Sequence, residues 1–187
     1  MTEDPRVTRT KRRLKRALLE LIDEAGYEAV TVERLTERAD VARSTFYAHY
    51  RAKEDLLFAG FDEWLLSFSG FACPAPGQAL CFRFSLPLLR HGASQRKFFR
   101  NTIVLGPSNR VRRRLKEILA EVALREMELA GVVLSGDDDA DARARGVAGA
   151  FLGILEWWLE EGRGVPPEEV DRVFQETVGG MRARPVL

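Results

Sequence analysis

Two short helical segments separated by a turn, within residues 31–50, are the feature that most constrains the fold of this chain. Thr31 precedes the first segment, and its hydroxyl can cap the start of a helix. Asp40 follows that segment where the chain has to turn, and aspartate tolerates the left-handed backbone region better than most residues. The second segment is predicted from Ala42 or Arg43 to about Tyr50. Because such short helices are unstable alone, the pair predicts a helix-turn-helix that packs on neighbouring helices.

Helices that could pack on this pair are predicted before and after it. Residues 14–25 repeat apolar side chains every three or four positions, which forms one stripe along a helix. We expect Thr8 or Thr10 to cap the start of this helix and Gly26 to end it. Lys53 begins a longer helix, so the first part of the chain is predicted to be helical throughout.

Positive charge is concentrated at the same end of the chain. The whole sequence of 187 residues has a formal charge of +1, but residues 6–16 hold seven basic side chains and no acidic one. A basic block at one end favours contact with a polyanion. From charge alone, a solvated helix face is the alternative interpretation.

Composition excludes several other classes of protein. The sequence has no run of 18 apolar residues and no apolar stretch of the kind found in a secretory signal, so we expect no membrane partner. Cys73 and Cys81 are interpreted as reduced thiols in a cytoplasmic protein rather than as a disulfide. With two histidines in total, a histidine-based metal site is not expected, and we predict no cofactor.

Three segments at fixed spacing carry a more specific signal than a bare helix-turn-helix. They read GYEAVTV at 26–32, ADVARSTFYAHY at 39–50 and KEDLL at 53–57. Together they resemble the N-terminal domain of the TetR family of transcriptional regulators. Residues 35–36 are Leu-Thr where the family usually has Ile-Ala, and Asp40 stands where the family usually has glycine.

The resemblance implies an all-α fold with two domains. Residues 1–53 are expected to form a helix-turn-helix three-helix DNA-binding domain, and residues 54–187 a helical effector-binding and dimerisation domain. Phe46 and Tyr50 are expected in the core of the first domain. The expected contacts to double-stranded DNA are Thr31, Arg43, Ser44, Thr45, Tyr47, His49 and Lys53.

The chemistry of these side chains agrees with that assignment. Arg43 can donate to guanine O6 and N7 together, and Thr45 can offer its methyl group to thymine. The helix start after Thr31 has free backbone N–H groups that can bind a phosphate. For Tyr47, His49 and Lys53 the resemblance implies phosphate contacts. Lys11, Arg12 and Lys15 of the basic block could add further phosphate or minor-groove contacts.

The rest of the chain is also predicted to be helical. The predicted helices cover 78–91 with a kink or stop at Pro87, 94–104, about 111–130, a stretch that begins at 137–139, and a last stretch after Pro166. The three aspartates at 137–139 suit a helix N-terminus because they oppose its positive dipole end.

A stripe of small residues in the helix after residue 137 predicts a dimer interface. Glycine inside a helix costs about 0.5–1 kcal/mol relative to alanine, so its repeated use suggests close approach of another helix. Together with the last helix, this predicts a four-helix bundle between two subunits. The alternative is that the small residues pack within their own subunit. The predicted interface residues are Gly146, Gly149, Ala150, Gly153, Trp157, Val170, Phe174 and Val178.

The sequence says less about an effector. Aromatic residues of the second half could line an apolar pocket for a small molecule, although each one is also an ordinary core candidate. The candidate ligand-binding residues are Trp64, Phe68, Phe84, Phe99 and Trp157.

The function predicted from these observations is a sequence-specific regulator of transcription. The favoured form is a homodimeric repressor that a small molecule releases from a palindromic operator. The alternative is a non-specific architectural DNA-binding protein driven by the basic block. An enzyme is not expected, because no nucleophile–base pair, HExxH motif or phosphate-binding glycine loop marks a catalytic residue.

Overall fold

The computed structural model describes residues 4–66, 80–104, 109–132, 135–162 and 164–179, with the backbone alone described at 60–66 and 109. Regular structure in these ranges is helical and contains no strand, which confirms the predicted all-α fold. The α-helices are α1 Pro5–Ala25, α2 Val32–Ala39, α3 Arg43–Tyr47, α4 Lys53–Leu66, α5 Ser85–Ser94, α6 Arg96–Phe99, α7 Asn109–Leu129, α8 Asp137–Glu160 and α9 Pro167–Val178. A 3₁₀-helix at Tyr27–Ala29 and a π-helix at Arg100–Val104 complete the order. None of the described helices is both long and apolar enough to cross a membrane.

Contacts divide the chain into two compact units. The first consists of Met1–Leu65 and Lys97–Val111, and the second of Leu66–Arg96 and Arg112–Leu187. The division at residue 53 into a DNA-binding and an effector-binding domain remains a prediction about function.

Helix α1 begins earlier than the sequence suggested. Asp4 Oδ1 accepts a hydrogen bond from the Arg6 N–H at 2.8 Å, and Pro5 occupies the first turn. The expectation that Thr8 or Thr10 caps this helix was therefore wrong, because an aspartate followed by proline is an equally favourable start. The helix ends as predicted at Gly26, whose φ of +79° is a conformation that glycine adopts without strain.

Helices α2 and α3 form the predicted helix-turn-helix. Thr31 Oγ1 accepts from the Arg34 N–H at 3.2 Å, which caps α2. Asp40 ends α2 in the left-handed region, with φ +50° and ψ +57°. Helix α3 is shorter than expected, since its helical residues end at Tyr47 and a turn leads on to Tyr50.

The core of the first unit is closed by the apolar stripe of α1. The buried stripe residues are Leu14, Ala17, Leu18, Leu21 and Ile22. Phe46 is fully buried against this core and Tyr50 is 8% exposed, which confirms both as core residues. Val111 and Phe98 also pack on this core, although they lie far along the chain. The two short helices thus obtain the packing partners that they need.

The second unit differs from the prediction in the position of α5. This helix begins at Ser85 and runs to Ser94, whereas residues 80–84 are not helical. Pro87 neither kinks nor stops the helix, because it lies in the first turn, where a backbone N–H has no partner within the helix. The expected continuous helix over 94–104 is instead the short α6 followed by the π-helix, and nearly all of these two elements belongs to the first unit.

Aromatic residues form the centre of the second unit. Phe84 lies 5.2 Å from Phe151 and 5.9 Å from Phe174 between ring centroids, and Phe82 lies 6.1 Å from Phe174. All four rings are buried. A polar clamp lies beside them, since Gln175 accepts from the Phe82 N–H at 3.0 Å and donates to its carbonyl at 2.7 Å.

Candidate nucleic-acid interface

Helix α3 presents polar side chains outward from a single apolar anchor. Phe46 is fully buried, and its ring contacts Tyr47 edge-on at 5.4 Å between centroids. Arg43 and Ser44 at the start of the helix are exposed, and Thr45 is half-buried. The Tyr47 side chain is 52% exposed despite its size. Because Phe46 holds the helix against the core, the other faces remain open to a partner.

His49 and Tyr50 follow α3 and form an aromatic pair. His49 is half-buried, and its ring lies 6.3 Å from the ring of the buried Tyr50. This contact restricts the imidazole, while the neighbouring Tyr47 hydroxyl stays accessible. A phenol and an imidazole so placed can both donate hydrogen bonds to phosphate oxygens.

Thr31 and the start of α2 form a second candidate phosphate site. The Thr31 hydroxyl oxygen is already occupied by the Arg34 N–H. What the helix start can offer a phosphate is therefore its other backbone N–H groups and the positive end of the helix dipole. The exposed Glu33 in the first turn opposes an incoming phosphate.

Lys53 has a structural role that the sequence analysis missed. Its Nζ donates to the Tyr27 carbonyl at 2.9 Å and to the Val30 carbonyl at 2.8 Å, and it lies 4.3 Å from the centre of the Tyr27 ring. Burial raises the pKa of Tyr27, so this phenol stays neutral. An ammonium group has three N–H donors, so one donor of Lys53 is left for a phosphate. No signal in the sequence indicated that Lys53 also holds the start of α4 to the loop after α1.

The basic block lies on the exposed faces of α1. Arg12 and Lys15 are exposed, and Lys11 is half-buried. Arg16 pairs with Glu20 at 3.3 Å, and Arg13 pairs with Asp40 of the turn at 2.6 Å. Part of the positive charge is therefore neutralised within the first unit, which the count of basic residues alone did not reveal.

A groove with acidic walls runs beside the start of α3. This groove could not be predicted from the sequence, because its side chains belong to two helices and to the turn between them. Its lining consists of Glu33, Thr36, Glu37, Asp40, Val41, Ala42 and Arg43. Phosphates that approach Arg43 would therefore also meet negative charge, which would limit how strongly this surface attracts DNA.

The small residues of α8 face away from the core of the second unit. Gly146 and Gly153 are exposed, and a Cβ atom added at either would meet no atom of the described residues within 4 Å. A Cβ at Gly149 would meet only the Lys116 side chain, at 3.7 Å from Nζ. Ala150 is half-buried, and Trp157 is 44% exposed. Within the described part of the chain, Gly146 and Gly153 therefore do not pack closely against their own unit.

Three residues predicted for the dimer interface lie elsewhere. Val170, Phe174 and Val178 are at most 5% exposed, because α9 turns this stripe toward α5 and α8 of its own unit. Side chains buried within one chain offer almost no surface to a second copy, so the structure does not support their place in the interface. The exposed apolar residue of α9 is instead Val173, at 39%.

The candidate ligand-binding residues do not form one cluster in either unit. Phe84 belongs to the aromatic core of the second unit, whereas Trp157 in the same unit is exposed. Phe99 is buried in the first unit. Phe68 and the side chain of Trp64 lie outside the described residues.

The structure also bears on the thiols and on metal binding. Cys81 is a free, exposed thiol whose pKa is raised by partial burial and by Asp171, while Cys73 lies outside the described residues. Within the described ranges, no group of three or more His, Cys, Asp and Glu side chains is arranged to hold a metal ion.

Comparisons with known protein families identify the chain. The family model described as bacterial regulatory proteins, tetR family, matches residues 15–59. A second model, described as transcriptional regulator C-terminal region, matches residues 82–180, which is more than half of the chain. The chain belongs to the TetR family of transcriptional regulators. This confirms the family predicted from the three sequence segments.

One curated relative matches part of this chain. An uncharacterized HTH-type transcriptional regulator of Bacillus subtilis, YxbF, is 40% identical over 55 residues, which are 29% of this chain and 14% of that protein. The chain thus spans only a small part of that relative's length.

Solved structures of transcriptional regulators are similar in fold to this chain over most of its length. A putative TetR-family regulator from Syntrophomonas wolfei has a TM-score of 0.71 at 15% identity, covering 96% of this chain and 98% of its own. A TetR regulator from Streptococcus agalactiae has a TM-score of 0.66 at 21% identity, covering 93% and 96%. NalD of Pseudomonas aeruginosa, described as the secondary repressor of the MexAB-OprM multidrug efflux pump, has 0.64 at 17% identity, covering 96% and 98%.

Family membership establishes the broad class of activity. TetR-family proteins are DNA-binding transcription factors and not enzymes, so the protein is a DNA-binding regulator of transcription.

Proposed function

We propose that this TetR-family protein is a homodimeric repressor that binds a palindromic operator in the cytoplasm and leaves it when a small molecule binds. The observation that carries the proposal is the outward polar surface of α3, where Arg43, Ser44 and Tyr47 surround the buried Phe46. This arrangement suits a recognition helix, which needs a rigid anchor on one side and hydrogen-bonding groups on the other.

Five of the predicted DNA-contact residues have the following roles in this proposal. Arg43 binds guanine O6 and N7, and Thr45 contacts a thymine methyl group. Tyr47 and His49 hold phosphates on one side of the DNA major groove, and the remaining N–H donor of Lys53 holds another phosphate. These contacts fix the position of α3, while the base contacts supply specificity.

Dimerisation is supported by the exposed surface of the second unit. Gly146 and Gly153 leave open space along α8, and the exposed Trp157 and Val173 offer apolar area. Two copies joined there would present two recognition helices. Helices held about 34–36 Å apart read successive major grooves of a palindrome.

Repression is the favoured sign of regulation because a bound dimer on a promoter obstructs transcription, and NalD is itself described as a repressor. Effector release requires only that the ligand prefer a state that does not bind DNA. A preference of about 5.5 kcal/mol moves such an equilibrium from almost fully bound to almost fully released.

A reporter experiment tests the proposal. The promoter of the protein's own gene is placed before a reporter, and expression is compared between the wild type and the Tyr47→Ala variant. We expect wild type to lower expression and the variant to restore it. Higher expression with the wild type would show an activator instead.

The dimer is tested separately with Gly153→Trp, which fills the open space along α8, and with Gly153→Ala as a matched control. By analytical ultracentrifugation we expect a monomer for the tryptophan variant and a dimer for the alanine variant. A Gly153→Trp protein that remains dimeric and represses normally would overturn the proposed interface.

A further inference from the structure

The helix-turn-helix carries an ion pair that the proposed DNA contacts do not use. Arg13 Nη2 on α1 lies 2.6 Å from Asp40 Oδ2 in the turn. The Arg13 side chain is 44% exposed and that of Asp40 is 91% exposed, so the pair lies at the surface. Exposed ion pairs contribute little to folding stability. The pair therefore matters mainly for the charge of the surface on which it lies.

Asp40 occupies a backbone position that usually holds another residue. Among the described residues it is the one non-glycine residue with a positive φ, +50°. Glycine is the usual residue at such helix ends and asparagine the next, since glycine has no Cβ and the asparagine amide bonds locally. The property that distinguishes Asp40 from both is its negative charge. That charge is what holds Arg13.

The position of Asp40 places this charge beside the proposed DNA contacts. Asp40 lines the same groove as Arg43, together with Glu33 and Glu37. Phosphates that approach Arg43 therefore meet the Asp40 carboxylate as well. Arg13 belongs to the basic block and would be free to contact a phosphate if Asp40 did not bind it.

We propose that Asp40 is an affinity-limiting residue, which holds Arg13 away from the DNA backbone and so weakens operator binding. This inference rests on the proposed function as an operator-binding protein. Limited affinity serves a releasable repressor, because an effector can shift the DNA equilibrium only by its own differential affinity for the two states. Asp40 thus lowers the difference in affinity between the two states that the effector must supply to release the DNA.

The salt dependence of DNA binding gives this inference a measurable consequence. Each additional phosphate neutralised by a basic side chain steepens the slope of log K against log salt by about 0.9. The Asp40→Asn variant removes the charge and suits the left-handed backbone, so it removes the ion pair that holds Arg13 and keeps the turn. We expect it to bind DNA on the order of three- to tenfold more tightly at about 0.15 M salt, with a slope steeper by about 0.9.

The experiment uses the full chain and a DNA duplex selected by the wild-type protein from a random pool. Fluorescence anisotropy gives the affinity between about 0.05 and 0.3 M KCl, where the slope is well defined. The variants are Asp40→Asn, Asp40→Gly, Arg13→Gln and the double variant Arg13→Gln with Asp40→Asn. Glu24→Gln is the control for loss of a surface carboxylate outside the groove, since Glu24 pairs with Arg38 at 2.7 Å and Arg38 keeps a second partner, Glu20, at 3.6 Å.

We expect both Asp40 variants to bind more tightly and with a steeper slope. Arg13→Gln should bind more weakly, since it leaves the Asp40 charge unpaired, and the double variant should return close to wild type. Glu24→Gln should leave both quantities unchanged. Thermal unfolding of each variant shows whether the fold is kept. The two Asp40 variants remove the same charge, one leaving a neutral amide and the other no side chain.

Equal or weaker binding by folded Asp40→Asn and Asp40→Gly would overturn the inference, because Asp40 would then support Arg13 rather than withhold it. Failure of the proposed function looks different. In that case the wild-type protein would enrich no sequence from the random pool.

Discussion

The two units of this protein use their aromatic and polar side chains in opposite ways. In the first unit one ring, Phe46, anchors α3, and its neighbours Arg43 and Tyr47 are left exposed. In the second unit Phe84 and Phe174 pack together in the interior, and the exposed face of α8 includes Gly146 and Gly153. A short helix with a single anchor leaves most of its surface for a partner, whereas long amphipathic helices bury their aromatic residues first.

Truncation of one core ring in each unit tests this comparison with the largest expected effect. Phe46→Ala and Phe84→Ala each remove a ring that is at most 1% exposed. We expect each to lower the free energy of unfolding of its own unit by about 3–5 kcal/mol, through lost burial and the cavity left behind. Urea unfolding followed by circular dichroism measures this.

The leucine variants at both positions are the controls, since they keep most of the volume and should cost clearly less. A small loss for Phe84→Ala would break the comparison. It would mean that Phe84 borders open space, as a ligand-pocket residue does, rather than the core.

Substitution of Arg43 tests the exposed side of α3. Arg43→Lys keeps the charge but loses the two-pronged hydrogen bond to guanine, so we expect operator binding to weaken by about 1–3 kcal/mol. Discrimination at one base-pair position should relax as well. Competition with single-base operator variants measures both. Arg12→Lys, at a proposed phosphate contact, should change neither by much, and equal effects of the two substitutions would remove α3 from base recognition.

A partly buried carboxyl group, Glu126, makes the stability of the second unit depend on pH. Burial raises the pKa of Glu126 to about 7 from its ordinary 4.5, although it accepts the Arg83 and Phe84 backbone N–H groups, the former at 2.8 Å. A carboxyl group with a raised pKa in the folded state holds more protons there than when unfolded. Its contribution to stability is therefore full below pH 4.5 and is lost as the pH rises through about 7.

We expect this contribution to be about 1–2 kcal/mol after allowance for partial solvent exposure. Unfolding of wild type and Glu126→Gln between pH 4.5 and pH 8 measures it, and the wild-type loss across this range should be absent in the variant. Parallel pH profiles for the two proteins would show that Glu126 does not titrate in this range.

Removal of the α2 cap has the smallest expected effect. Thr31→Ala removes the oxygen that accepts the Arg34 N–H, which should lower the stability of the first unit by about 1 kcal/mol. Thr31→Ser keeps the oxygen and should cost less. If serine and alanine cost the same in urea unfolding, the hydroxyl does not cap the helix.

Local signals explain why much of the first unit could be predicted from the sequence. A cap such as Thr31, a turn residue such as Asp40 and a helix end such as Gly26 act within a few residues of chain, and the structure has all three as predicted. Phe46 in the core follows from helical periodicity. The early start of α1 at Asp4 was missed because two capping signals compete within a few residues.

Contacts between distant parts of the chain explain what could not be predicted. The Lys53 ammonium binds carbonyl groups 23 and 26 residues away, and Gln175 binds a backbone 93 residues away. Periodicity identified the buried stripe of α9 but did not tell whether its own unit or a second copy covers it. For Val170 the answer is its own unit.

Fluorescence anisotropy on the DNA upstream of the protein's own gene tests the central claim most directly, since α3 is proposed to read a specific operator. The measurement compares native and scrambled duplexes at about 0.15 M salt, with wild type, Tyr47→Ala and Tyr47→Phe. We predict tight binding of wild type to the native duplex alone, loss of that binding in Tyr47→Ala, and an intermediate affinity for Tyr47→Phe. Equal binding of wild type to both duplexes, unaffected by Tyr47→Ala, would contradict recognition of this DNA by α3.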